Sequence, residues 1–150
     1  VALEDDIRKL SRISLFRALE TDALRLIAFG AETRILRAGD ILFRSGDKSE
    51  GGFIVLSGAI ALDEKNDGSP PSHIVRPDSL IGEVALLVET ERRATAMARE
   101  PSTVLKISRE LFHRVLREYP DSAKRLKIAM ADELKAFVRE LEESSLGRAD

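Results

Sequence analysis

The chain has 150 residues, of which 43% are hydrophobic and 33% charged, enough apolar material for one soluble domain with a buried core. Lys and Arg number 24 against 26 Asp and Glu, a net charge of −2, which argues against a nucleic-acid-binding surface over the whole domain. Cysteine is absent, which excludes disulfides, a thiolate nucleophile and a Cys-based zinc site. No apolar run reaches the length of a membrane span and no signal peptide is visible, so a cytoplasmic location is expected. Val1 as first residue implies a removed initiator or a trimmed chain.

Residues 1–31 read as N-terminal helices. Leu3, Ile7 and Leu10 recur at helical spacing in a charged segment. After Ser14-Leu15-Phe16, Thr21 or Asp22 is expected to cap a helix running to about Phe29, with Leu24, Ile27 and Ala28 inward and Gly30 ending it. Residues 32–107 read as short strands. Glu32 to Ala38 alternates; Ile41 to Arg44, Phe53 to Leu56 and Ala59 to Leu62 follow, with Ala38-Gly39-Asp40, Ser45-Gly46-Asp47, Gly51-Gly52 and Ser57-Gly58 as punctuation. Short strands broken by glycine at this density indicate an antiparallel barrel or jelly roll. Asp63 to Ser72 reads as an exposed hairpin tip, His73 to Arg76 as a strand, and Pro77-Asp78-Ser79 as a turn.

The segment 80–96 carries the chemistry. Ile81-Gly82-Glu83 opens a short apolar stretch, Val84 to Val88, long enough for one or two helical turns. Glycine at such a mouth permits close backbone approach, and the unpaired first N–H groups suit an anion. Glu83 cannot take a phosphate but can accept hydrogen bonds from sugar hydroxyls. Arg92 and Arg93 follow the polar turn Glu89-Thr90-Glu91, and a guanidinium gives bidentate bonds to phosphate oxygens. A ribose hydroxyl beside a phosphate satisfies all three. Read blandly, Glu83 and Arg92 form a structural ion pair and Arg93 is solvated surface.

Ala94 to Arg99 alternates as a strand, and Thr103 to Ile107 is the last one. Residues 108–146 read as C-terminal helices. Ser108 caps the first, to Glu118; Tyr119-Pro120-Asp121 breaks it. A long helix then runs over 121–143, ended by Ser144, Ser145 and Gly147. Leu126, Met130, Leu134, Phe137 and Leu141 form its apolar stripe, which either covers the barrel mouth or makes a homodimer seam.

Residues I81-G82-E83-V84-A85-L86-L87 and E91-R92-R93-A94-T95 resemble the phosphate-binding cassette of the cyclic-nucleotide-binding domain family. The runs A-G-D-I-L-F-R-S-G-D and F-I-V-L-S-G-A-I are similar to that family's barrel glycines, and S-L-F-R-A-L to its lead-in. The resemblance implies a small antiparallel β-barrel, a double-stranded jelly roll, with N-terminal helices and two C-terminal helices. It implies that Glu83 binds the ribose 2′-hydroxyl and Arg92 the cyclic phosphate. Gly82 and Ala85 would give backbone N–H groups, Thr95 would line the base and phosphate side, and Ile81, Val84 and Ala94 complete the set. Ile81 stands in place of the usual aromatic residue and Glu91 in place of proline. Arg93 stands where the family has Ala, Ser or Thr, and either shares the phosphate or faces water. The approach loop lacks the family's glycine. Phe137 is the candidate lid over the base. Guanine-preferring members place Thr after the phosphate arginine, so cAMP is expected over cGMP.

His73 and His113 have no metal-ligand spacing, and neither a G-x-x-x-x-G-K-S/T loop nor a Ser-His-acid pattern occurs, so no metal and no catalysis are expected. Too few residues follow the long helix for a helix-turn-helix, so no nucleic-acid contact is expected from this chain. The expectation is a second-messenger sensor, one domain over 1–150, that signals by moving its terminal helices; a ligand-free scaffold and a barrel enzyme are the alternatives.

Overall fold

The computed structural model describes residues 2–65, 70–71 and 73–148. Helices α1 (Ala2–Ser11) and α2 (Thr21–Gly30) flank a 3-10 turn at Ser14–Ala18. Eight strands follow: β1 (Glu32–Leu36), β2 (Ile41–Phe43), β3 (Gly51–Ser57), β4 (Ile60–Asp63), β5 (His73–Val75), β6 (Ser79–Ile81), β7 (Thr95–Ala98) and β8 (Ser102–Ser108). Helices α3 (Arg109–Glu118) and α4 (Pro120–Arg148) close the chain. The strands form two antiparallel four-stranded sheets, ordered β1-β8-β3-β6 and β2-β7-β4-β5, which is the expected jelly roll. The hairpin tip expected at 66–69, and Ser72, lie outside the described residues.

Strand β3 is buried on both faces of the first sheet, which explains its unbroken apolar run. Phe53, Val55 and Val104 meet Leu42, Ile60, Ala96 and Ala98 of the second sheet inside the barrel. Ile54, Leu105 and Ile107 point the other way, into a cluster with Leu10, Phe16, Ile27, Phe112 and Val115 of the helices. Phe16 and Phe112 stack there with ring centroids 5.9 Å apart, a contact worth about 0.5–1.5 kcal/mol beyond the area it buries. Strands β3 and β8 therefore tie the barrel to the helical layer.

Two turns share one sequence logic. Arg37-Ala38-Gly39-Asp40 and Arg44-Ser45-Gly46-Asp47 each place glycine at positive φ, +92° and +93°. In each, the Asp carboxylate accepts the N–H of the Arg, at 2.8 and 2.9 Å. Asp78 sits at φ +66° in the approach loop, the left-handed conformation that the missing glycine would have adopted without strain.

Several boundaries depart from expectation. Glu20, not Thr21 or Asp22, precedes α2 as its cap residue, and its N–H donates to the buried Ser122 Oγ at 2.9 Å. Gly30 ends α2, but Ala31 after it is extended. A Cβ on Gly30 would stand 2.8 Å from a methyl of the Leu111 side chain, which would have to shift. The Gly51-Gly52 pair belongs to β3, paired with Ser108 and Ile107, and the close pairing requires glycine at 51, where a Cβ would meet the Ile107 carbonyl oxygen at 2.0 Å. Strand β6 spans the end of the expected turn, Ser79, and the first residues of the 80–96 segment, pairing Ile81 with Phe53. Helix α4 starts at Pro120, whose missing N–H costs nothing at a first helical position, and runs through Ser144, Ser145 and Gly147 to Arg148.

Among the described residues, the apolar packing of α4 is concentrated at its start. Leu126 is buried, Met130 packs partly against the helical cluster, and Arg125 Nε donates to the Ala18 carbonyl at 2.9 Å. Farther along, Leu134 is 63% and Phe137 56% exposed, with Val138 and Leu141 also open. Intramolecular packing therefore accounts for the first part of the stripe and not for the rest.

Candidate functional site

A cavity of about 910 Å³ opens where the segment after β6 folds back against β2 and β4. Ile81, Gly82, Glu83, Val84 and Ala85 form one wall, and Arg92, Arg93 and Ala94 another. Phe43, Ser45, Leu62, Glu64, Thr90 and Glu91 complete it. Eight of the nine residues singled out in sequence are therefore brought together. Thr95 is the exception. Its Oγ1 accepts the Ser45 N–H at 3.0 Å, and it lines a separate groove on the outer face of the second sheet with Met97 and Arg99. The period of two puts Ala96 and Ala98 inward and Thr95 and Met97 outward. Phe137 does not line the cavity and is half exposed.

The short apolar stretch forms a single 3-10 turn, Val84–Leu86. Leu86 N–H bonds the carbonyls of Gly82 and Glu83 at 3.3 and 3.2 Å, so the turn begins at Gly82. Gly82 has φ +85°, which a side chain would strain. Glu83 follows as the cap residue, half-buried at the cavity wall. Burial raises its pKa above the ordinary glutamate value, and Glu133 of α4, facing it, raises it further.

Arg92 is held deliberately. Its Nη2 donates to the Gly51 carbonyl at 2.7 Å. Its guanidinium lies over the Phe43 ring, 4.3 Å from the centroid, and 5.7 Å from that of Phe53. Burial lowers its pKa from the ordinary value, and the neighbouring Arg109 charge adds to this. Among the described residues no carboxylate lies within ion-pair distance of Arg92, so the bland reading of a Glu83–Arg92 pair does not describe this site. A half-buried, fixed cation beside an open cavity is suited to an anionic ligand. Arg93 is exposed.

A second set of residues braces the segment from outside, and sequence reasoning missed it. Arg109, the first residue of α3, donates from Nε to the Ala85 carbonyl at 3.1 Å and from Nη2 to the Ser49 carbonyl at 2.8 Å. His113, one turn on, places Nε2 2.8 Å from the Leu87 carbonyl; a carbonyl only accepts, so that nitrogen carries the proton. Ser49, almost fully buried, accepts from Thr90 N–H and Arg109 Nη2 and shares a hydroxyl–hydroxyl hydrogen bond with Thr90 Oγ1 at 2.9 Å. The i, i+4 spacing of Arg109 and His113 was the available signal, but a partner carbonyl leaves no mark in sequence.

The family model for the cyclic nucleotide-binding domain matches residues 33–119, which spans β1 through α3 and the whole cavity wall. The chain belongs to the cyclic nucleotide-binding domain family. Among solved structures, a cyclic nucleotide-binding-like protein from Brucella abortus is 40% identical, with 75% of this chain and 98% of that one covered and a TM-score of 0.68. The regulatory domain of Toxoplasma gondii PKA, solved with cAMP, is 27% identical over 75% of this chain and 44% of that one, at a TM-score of 0.69. Among curated proteins, lysophospholipase nte1 of Neurospora crassa is 31% identical over 114 residues, 75% of this chain. The chain spans only 8% of that relative's length. Cyclic nucleotide-binding domains serve regulation. In this one the cassette geometry, a positive-φ glycine, a one-turn helix and a braced arginine, rests on α3 through Arg109 and His113. Among the described residues no group of three or more His, Cys, Asp or Glu could hold a metal, and no helix is long and apolar enough to cross a membrane.

Proposed function

We propose that this domain is a cytoplasmic sensor of a purine 3′,5′-cyclic nucleotide, cAMP in preference to cGMP. The observation that carries the reading is Arg92: a guanidinium fixed by the Gly51 carbonyl and the Phe43 ring, facing the cavity without a carboxylate partner among the described residues. In this reading Arg92 pairs with the cyclic phosphate, and Gly82 and Ala85 give it backbone N–H groups. Glu83 accepts the ribose 2′-hydroxyl. Ile81, Val84 and Ala94 bound the ligand, and Arg93 remains at the rim. The domain acts by binding, without a chemical step.

Occupancy reaches the C-terminal helices through α3. A ligand shifts a conformational equilibrium only by binding one state better. Tightening of the turn at Val84–Leu86 around a phosphate moves the Ala85 and Leu87 carbonyls, and Arg109 and His113 carry that movement into α3 and α4. The exposed Leu134, Phe137 and Leu141 then serve either as a homodimer seam or, for Phe137, as a lid. A seam predicts a dimer in sedimentation that Leu134→Glu reduces to monomer.

Calorimetric titration with cAMP and cGMP tests the reading. The expected result is saturable binding, tighter for cAMP. Glu83→Ala should weaken binding of the ribonucleotide and leave a 2′-deoxy analogue little changed. Absence of heat with both nucleotides at millimolar concentration would leave a ligand-free scaffold as the better description.

A further inference from the structure

Arg92 forms part of the wall of two cavities. One is the cassette cavity; the other, of about 320 Å³, lies toward the first sheet. Four cations line this second space: Arg34 of β1, Lys48, Arg92 and Lys106 of β8. Two carboxylates, Asp47 and Glu50, share it, and both are already engaged. Asp47 accepts the Arg44 N–H at 2.9 Å, and Glu50 accepts from Lys106 Nζ at 2.7 Å. The Lys106 side chain is only 16% exposed. Arg34 and Arg92 place their guanidinium carbons 5.9 and 5.7 Å from the centroid of the same Phe53 ring. Arg34 has one ion pair, a long and exposed one to Glu32 at 3.4 Å.

Four cations around one space repel one another, and Asp47 and Glu50, with Glu32 beside Arg34, leave one positive charge in excess. A small oxyanion offsets that excess, and guanidinium and ammonium groups lining one cavity are donors that phosphate oxygens take.

We propose that this second cavity is an oxyanion site for inorganic phosphate, built on Arg34, Lys48, Lys106 and the edge of Arg92 that lines it. Because Arg92 is common to both cavities, phosphate here draws on the donors that the cassette needs. Phosphate therefore weakens cyclic nucleotide binding beyond the effect of ionic strength. This last consequence rests on the nucleotide reading; the oxyanion site does not.

The test is calorimetric titration of the intact chain with sodium phosphate, with chloride at matched ionic strength as control. Saturable binding of phosphate alone is expected. Arg34→Gln and Lys106→Gln should each weaken it by about tenfold or more, as loss of a charge-assisted donor implies. Each variant is first checked for an unchanged melting transition in phosphate-free buffer; should either fail to fold, the exposed Lys48→Gln replaces it. Phosphate behaving as chloride does would overturn the site. So would saturable binding that Arg92→Ala abolishes while Arg34→Gln and Lys106→Gln leave it intact, since the anion would then sit in the cassette. A cAMP titration with and without phosphate separates the two readings. Phosphate binding without nucleotide binding removes the sensor proposal and keeps this one; the reverse result removes this one alone.

Discussion

A Cβ on residue 82 would stand 2.8 Å from Nη1 of Arg92. Glycine at this position is therefore set by the arginine as well as by its own φ of +85°. Gly82→Ala should push the guanidinium off the Phe43 ring and strain the turn at once, at a cost of about 1–3 kcal/mol in stability. Chemical denaturation reads that loss, and titration reads a larger fractional loss of nucleotide affinity. A variant that binds as tightly as the parent would show that Arg92 is not needed where it stands.

The two adjacent arginines should behave unequally. Arg92 is half-buried and bonded to Gly51, whereas Arg93 is exposed. Arg92→Ala should cost about 2–5 kcal/mol of binding, the range for truncating one partner of a desolvated charge pair. Arg93→Ala should change affinity by no more than about 1 kcal/mol, as a screened surface charge does. Reversal of that order in side-by-side titrations would shift the cassette register by one residue.

Ser49 is a buried junction between the start of β3, the end of the cassette and α3. Ser49→Ala leaves the Thr90 N–H without that acceptor and removes one bond from Arg109. The expected loss is about 1–3 kcal/mol, the cost of an unsatisfied buried polar group. If the junction also transmits ligand occupancy, hydrogen exchange in α3 should respond less to nucleotide in this variant than in the parent.

Glu83 gives a pH dependence of defined sign. Its pKa in the folded chain is raised, first by burial and then by Glu133. The folded state thus binds this proton more tightly than the unfolded chain does. Stability from this group is full below the ordinary glutamate pKa and is lost as pH rises through the raised value. Denaturation midpoints of parent and Glu83→Gln, measured from about pH 4 to pH 8 to bracket the ordinary glutamate pKa, should diverge with increasing pH in favour of the variant. Glu133→Gln should reduce the divergence. Parallel curves would mean that Glu83 is not desolvated in the folded chain, and a divergence unchanged by Glu133→Gln would mean that the two carboxyl groups do not face each other in solution.

The local pattern carried much of this protein. Alternation, glycine at the tight turns and the spacing of Gly82, Glu83 and Arg92 were readable because they depend on neighbours a few residues away. The Ser108 cap was readable for the same reason, and its Oγ accepts the Leu111 N–H at 3.1 Å. What distant segments decide was not readable. Gly51 is glycine because the Ile107 carbonyl presses on it. Glu20 stands at the N-cap position of α2 with its N–H bonded to Ser122, 102 residues away. Strand β6 exists because β3 offers it a partner edge. Thr95 faces outward because the pairing of β7 with β2 and β4 fixes which alternate residues enter the barrel. Sequence alone determined which groups could meet a sugar and a phosphate. The tertiary structure decided which of them share a cavity, and what holds the arginine there, because burial and backbone carbonyl partners come into being only when remote strands and helices pack together.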